Sequence, residues 1–210
     1  MRPHCYDGGV PRRADVEHQR AHIAHAVWRL AARGLERVSL REVAAEAGVS
    51  MGRVQHYFPT KDEMLLHGLQ LAHQRMQARI EQRLAGMGDR AGNREVLHAV
   101  LDELLGEDPD TRQAIRVSVA YATRAVDDPR IAAILTDGDA DILALAAEVI
   151  GQARDDGRAR DDADPEQEAR ILFTLATGLG AEVALHGASV TRARTTLNYH
   201  LGRVLSAGTA

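Results

Sequence analysis

Residues 38–65, VSLREVAAEAGVSMGRVQHYFPTKDEML, concentrate side chains whose chemistry suits a polyanion. Arg53 and Gln55 are the residue types that grip guanine and adenine edges with paired hydrogen bonds in the major groove. Tyr57 can give its hydroxyl to a phosphate. Gly52 costs a helix about 1 kcal/mol against alanine, but the missing side chain lets another surface come close. Arg53 stands three residues after Ser50, where a helix start ordinarily prefers an acidic residue. An arginine there makes sense if an external anion faces it; a plain solvated surface position is the other reading.

The elements that must position these groups are short. Leu40, Val43, Ala44 and Ala47 recur at i, i+3, i+4 and i+7, one face of a two-turn helix. Ser39 and Glu42 form a capping box at its start. Gly48 supplies the left-handed residue that ends it. Ser50 then caps a second short helix, and Thr60 with Glu63 boxes the start of a third. Two helices joined by a tight glycine turn form a helix-turn-helix pattern. In the second helix Val54 and Phe58 can pack inward. Met51, Arg53, Gln55, His56 and Tyr57 are left with little core to fill.

The rest of the chain reads as helix. Hydrophobic residues make up 45% of the 210 and aromatic ones only 3%, so Leu, Val, Ile and Ala must build the core, and that composition favours helices. Ile23, Val27, Leu30 and Ala31 place a helix over about 14–33, ended by Gly34 as its C′ residue. A long helix runs from Lys61 to about Leu84, and 85–93 form a loop. Further helical patterns cover about 94–105, 110–126, 129–153, 165–186 and 190–206. Pro109, Pro129 and Pro165 each follow an aspartate, which is a strong helix start. No alternating strand pattern competes.

Charge and cysteine usage narrow the class. Residues 1–65 hold nine Arg, one Lys and eight acidic residues; the remainder holds sixteen Arg and twenty-two acidic residues. A mildly basic front on an acidic rear fits a chain whose front alone meets a polyanion. Cys5 is alone, so a disulfide within the chain is excluded and a reduced, cytoplasmic setting is expected. The opening residues lack the apolar core of a secretory signal, and no apolar run approaches the ~18 residues of a membrane span.

Other motifs carry less. DGDADILALAAE, residues 137–148, puts Asp137, Asp139, Asp141 and Glu148 at calcium-loop positions, but Ile142 occupies the place that needs glycine. It reads as helix interior. His18, His22 and His25 share a helix face with no ligand set to complete a metal site. Gly178 and Gly180 lack the strand and third glycine of a dinucleotide fingerprint. No nucleophile elbow or phosphate loop supports an enzyme, and no metal or cofactor is expected. Ala176, Gly180 and Ala184 recur every four residues, a stripe that lets two helix backbones approach closely.

The segment 39–65 resembles the DNA-binding region of TetR/AcrR-type transcriptional regulators. The likeness rests on Ala47-Gly48-Val49-Ser50, Gly52, the QHYF cluster and Lys61, and extends over about 17–69. It implies an all-α fold of about nine helices. A flexible arm (1–13) would precede a three-helix helix-turn-helix domain (14–66) and a helical ligand-binding and dimerisation domain (67–210). It implies base-facing roles for Arg41, Met51, Arg53 and Gln55, phosphate contacts from Ser39, Tyr57 and Lys61, and close approach at Gly52. Gln55 and Tyr57 stand where the family usually has Tyr and His, so site preference is not transferable. A homodimer would pair the last two long helices through Ala176, Gly180 and Ala184 and read a palindromic operator in double-stranded DNA. An unknown small molecule, held in a cavity that His98, Leu101, Arg116, Tyr121 and Phe173 could line, would release the repressor from that operator. The terminal portion resembles the BetI-like branch, which suggests choline-type ligands, yet Tyr121, Phe173 and Tyr199 are the only aromatic rings after residue 65. That is a poor supply for a cation cage.

Overall fold

Helix starts stand where their caps are. Ser39, Ser50, Thr60, Asp108, Asp128, Asp164 and Ser189 each accept a backbone N–H of the following turn through their side chains. Pro109, Pro129 and Pro165 open their helices at the position where no N–H is needed. In this computed structural model, residues 13–88 and 91–205 are described. Cys5 and nearly all of the expected arm lie outside them.

Nine α-helices lie among the described residues. They are α1 (Arg13–Ala31), α2 (Leu40–Ala47), α3 (Met51–Tyr57), α4 (Lys61–Met87), α5 (Asn93–Leu104), α6 (Pro109–Ala125), α7 (Pro129–Asp155), α8 (Pro165–His186) and α9 (Val190–Val204). A 3₁₀ turn, Leu35–Arg37, joins α1 to α2. No helix among them is long and apolar enough to cross a membrane.

Helix ends differ from expectation by one to three residues, and two of these ends involve glycines. Helix α1 stops at Ala31, and Gly34 sits in the turn beyond it with φ 124° rather than as the left-handed C′ residue. Helix α4 runs on to Met87. Gly86 stays helical in open space, and Gly88 makes the break with φ 66°. One glycine costs an established helix too little to stop it.

The apolar faces assemble into two cores. The front core gathers Ile23, Val27 and Trp28 of α1, Val43 of α2, Val54 of α3, Phe58, and Leu65 and Leu69 of α4. Val117 and Tyr121 of α6 and Ile131 of α7 enter the same cluster. The rear core joins Ile80 of α4 to Leu97, Leu101, Ile150, Leu172, Leu197 and Leu201. Helix α4 therefore belongs to both, and the division expected at residues 66 and 67 falls within it. The fully buried Glu103 of α5 is held by Arg79 and Arg83 of α4 and by the Thr111 hydroxyl of α6. A buried carboxylate needs such partners.

The small-residue stripe faces inward, which corrects the dimer assignment. Ala176, Gly180 and Ala184 are buried within the chain. A Cβ on Gly180 would lie 1.9 Å from the Leu104 carbonyl oxygen and 3.3 Å from Ile115 Cδ1. The stripe lets α8 cross the corner between α5 and α6, so no partner copy can reach it. Gly180→Ala should lower unfolding free energy by about 1–3 kcal/mol or more, measured by urea denaturation. Gly86→Ala, with open space around it, should cost nothing.

The DGDAD segment lies inside α7, as expected. Burial pushes the Asp139 carboxyl up to about 6, whereas a bound cation would hold it low. Above that pH the ionised form sits where burial disfavours it; once protonated, it no longer carries that cost. Asp139→Asn should therefore unfold at a higher temperature than wild type at pH 7.5. The advantage should shrink as pH falls through about 6, as thermal scans at several pH values would show.

Candidate nucleic-acid interface

Helix α2 is fixed from three sides. Val43, Ala44 and Ala47 are buried against the front core. His22 Nε2 lies 2.8 Å from the Ala47 carbonyl oxygen, and Arg29 Nε donates to Glu46 at 2.6 Å. Gly48 takes φ 65°, and the Gly48 and Val49 amides return to the carbonyls of Ala45 and Ala44. This closes the turn and sets the direction of α3. Two of the three histidines weighed as a metal face thus have structural work: His22 pins α2, and His25 lies against Arg75 and the Trp28 ring. His18 is exposed. Among the described residues no group of three His, Cys, Asp or Glu side chains is placed to hold a metal ion.

Helix α3 is anchored on one side only. Val54 and Phe58 are completely buried. The Arg20 guanidinium lies over the Phe58 ring, 5.2 Å from its centre, and His67 packs against the same ring. Gly52, Arg53, Gln55 and His56 are exposed, and Met51 is 49% exposed. A Cβ on Gly52 would meet nothing within 4 Å. Tyr57 is half-buried at the margin, its ring edge-on to His56 at 5.1 Å.

The flanking helices add cations. Arg41 on α2 and Lys61 at the first turn of α4 are exposed. The side chains of Arg41, Arg53 and Lys61 have no ion-pair partner among the described residues. The nearby Asp62 carboxylate is neutralised by Arg124 at 2.8 Å. Ser39 is half-buried, and its hydroxyl donates to Glu42 Oε2 at 2.8 Å. The face therefore presents three unpaired cations, with the exposed Glu42 and Glu63 at its capping boxes and a bare glycine between, and a polyanion can approach it. His56, to which residue type and spacing assign no role, follows Gly52 by one turn (i, i+4) and shares its exposure.

The cavity residues expected from the sequence fall elsewhere. His98 Nδ1 lies 3.7 Å from Asp102, both half-buried on α5. Leu101 is fully buried core. Arg116 Nε donates to the Ala184 carbonyl at 2.7 Å, and the buried Tyr121 hydroxyl donates to the Leu65 carbonyl at 2.8 Å. Phe173 packs on the rear core. A concavity of about 530 Å³ lies between α4 and α7, lined by Gln70, His73, Met76, Ile80, Val100, Asp137, Ile142 and neighbours. None of the five lines it. Which residues line it depends on how α4 and α7 face each other, which helical spacing within one segment does not reveal.

Comparisons with known proteins bear on both regions. Residues 23–67 match the family described as bacterial regulatory proteins, tetR family, and residues 93–206 match the BetI-type transcriptional repressor C-terminal domain. The HTH-type transcriptional regulator PksA of Bacillus subtilis (strain 168) is 29% identical over 186 residues, covering 88% of each chain. A transcriptional regulator from Rhodococcus sp. Rha1 has a similar structure, with TM-score 0.75, 28% identity, and 88% of this chain and 95% of that one covered. So does a putative transcriptional regulator from Saccharomonospora viridis in complex with choline, with TM-score 0.80, 25% identity, and 91% and 100% covered. With its outward α3 and its matches over both halves, the chain belongs to the TetR family: it is a DNA-binding transcriptional regulator, not an enzyme, with a BetI-type C-terminal domain.

Proposed function

We propose that this regulator acts in the cytoplasm as a repressor, holding an inverted-repeat operator as a homodimer and releasing it when a small molecule occupies the α4–α7 groove. The observation that carries the reading is the outer face of α3: Met51, Gly52, Arg53, Gln55 and His56 are all presented to solvent, with Tyr57 half-buried at its margin. Arg41, Met51, Arg53 and Gln55 are the base-facing set, with His56 beside them. Gly52 lets the backbone approach, and Tyr57 and Lys61 bind phosphate. Ser39 joins them once its hydroxyl turns away from Glu42.

The partner copy meets the outer faces of α8 and α9. Ile171 and Leu185 are 47% and 46% exposed, and Gly178, midway between them, has open space where a Cβ would be. Their seven-residue spacing keeps all three on one face. Tyr199 on α9 is 69% exposed. Two-fold pairing there would set the two α3 helices about 34–36 Å apart, on successive major grooves.

Release follows from a shared helix. The front end of α4 is tied to α6 by the Tyr121 hydroxyl on the Leu65 carbonyl and by Arg124 on Asp62. The groove lines residues 70–84 of the same helix. A ligand that fits better when α4 is tilted lowers DNA affinity by that difference in binding energy. The choline held by the relative from Saccharomonospora viridis supports a small-molecule effector in this fold.

Selecting bound duplexes from a random pool should return an inverted repeat; recovery of no preferred sequence would overturn the reading. On the selected duplex, Arg53→Ala should cost about 1–3 kcal/mol and relax sequence preference. Lys61→Ala should weaken binding to all sequences and flatten the log–log salt dependence by about 0.9 for each phosphate left without its cation. Ile171→Glu should turn the dimer into monomers by light scattering. A dimer that persists in that variant would place the interface elsewhere.

A further inference from the structure

The lining of the α4–α7 groove specifies a class of ligand. Its floor is apolar: Ile80, Val100 and Ile142 are buried there, with Met76, Leu84 and Leu145 half-buried beside them. Its rim carries Glu81 on α4 and Asp137 and Asp141 on α7, all three exposed. Among the described residues no arginine or lysine lines it.

The surrounding basic groups are turned elsewhere. Arg75 contacts His25 and lies over the Trp28 ring, while Arg79 and Arg83 reach the buried Glu103. Acidic residues are paired with arginine across much of this chain, at Glu46, Asp62, Asp102, Asp128 and Glu168 among others. Glu81, Asp137 and Asp141 have no such pair among the described residues. His73 also lines the groove, and burial, against the smaller opposing pull of Asp137, disfavours the charged form of its imidazole.

The head group is further restricted. Among the described residues no Phe, Tyr or Trp lines the groove, and these supply none of the ring faces that hold a quaternary ammonium. Carboxylates and the side-chain carbonyls of Gln70, Gln74 and Gln77 offer hydrogen-bond acceptors instead. An ammonium that keeps its N–H bonds can use them, and a fully methylated one cannot.

Given the ligand-responsive reading above, on which this rests, we propose that the effector is a protonated alkylamine or alkyldiamine. Its chain lies on the Ile80–Val100–Ile142 floor and its N–H donors meet Glu81, Asp137 and Asp141.

The test titrates the full-length protein with octylamine, octanediamine, choline and octanoate by calorimetry, and follows release of the selected duplex. The amines should bind, release the duplex, and lose affinity as salt rises, because the rim is exposed. The combined variant Glu81→Gln, Asp137→Asn and Asp141→Asn should bind the duplex as wild type does and hold the amines about tenfold more weakly. Choline or octanoate binding as well as the amines, unchanged amine affinity in the variant, or no amine binding at all would each overturn the assignment. Release by choline or octanoate alone would keep the ligand-responsive reading and remove the amine. Failure of the wild type to prefer any duplex would remove the underlying reading itself.

Discussion

A seven-residue helix is too short to be stable by itself in water, and everything presented by α3 depends on how it is held. Ser50 caps its start by accepting the Arg53 amide at 3.2 Å. Val54 and Phe58 sink completely into the front core, and Arg20 and His67 close over the Phe58 ring. With its anchors all on one side, the helix has nothing left to bury. Met51, Gly52, Arg53, Gln55 and His56 are free to meet another molecule because the fold has no use for them.

Helix α4 carries this local arrangement into the rest of the molecule. Its first turns belong to the front core through Leu65 and Leu69, and its later turns reach the rear core through Ile80. Helix α6 crosses between the two, placing Val117 and Tyr121 in the front core, while its own start shares Thr111 with the buried Glu103. Tilting α4 therefore disturbs both ends at once. The groove against α7 opens midway along this helix.

Charge is distributed to match. In the rear, arginines are largely taken up within the chain, as in Arg194 with Asp102 and Glu107 or Arg160 with Asp162 and Glu168. At the front, Arg41, Arg53 and Lys61 stand without ion-pair partners among the described residues, and in the groove three carboxylates do. Unpaired charge of one sign on an exposed surface raises the local concentration of the opposite sign. A net charge of −4 for the whole chain conceals two surfaces of opposite preference.

Local signals made much of the fold readable in advance. Ser39, Ser50 and Thr60, the three Asp-Pro pairs and Gly48 act on backbone groups within four residues of themselves, so their effect is present in the sequence and survives tertiary packing. The same holds for the outward side of α3, since a helix that short has room for one buried stripe. What lay beyond reach was which helix each stripe would meet. Ala176, Gly180 and Ala184 announce a close approach without naming the partner, and the partner is the Leu104 carbonyl of the same chain. Tyr121 and Arg116 look like cavity residues by type, yet each commits its polar atom to a distant carbonyl. The groove exists because α4 and α7 lie side by side, a relation between residues about sixty apart that no helical period encodes. The chain's own order thus determined where helices begin and which short one turns outward; packing alone decided which stripes meet within the chain and where a groove opens.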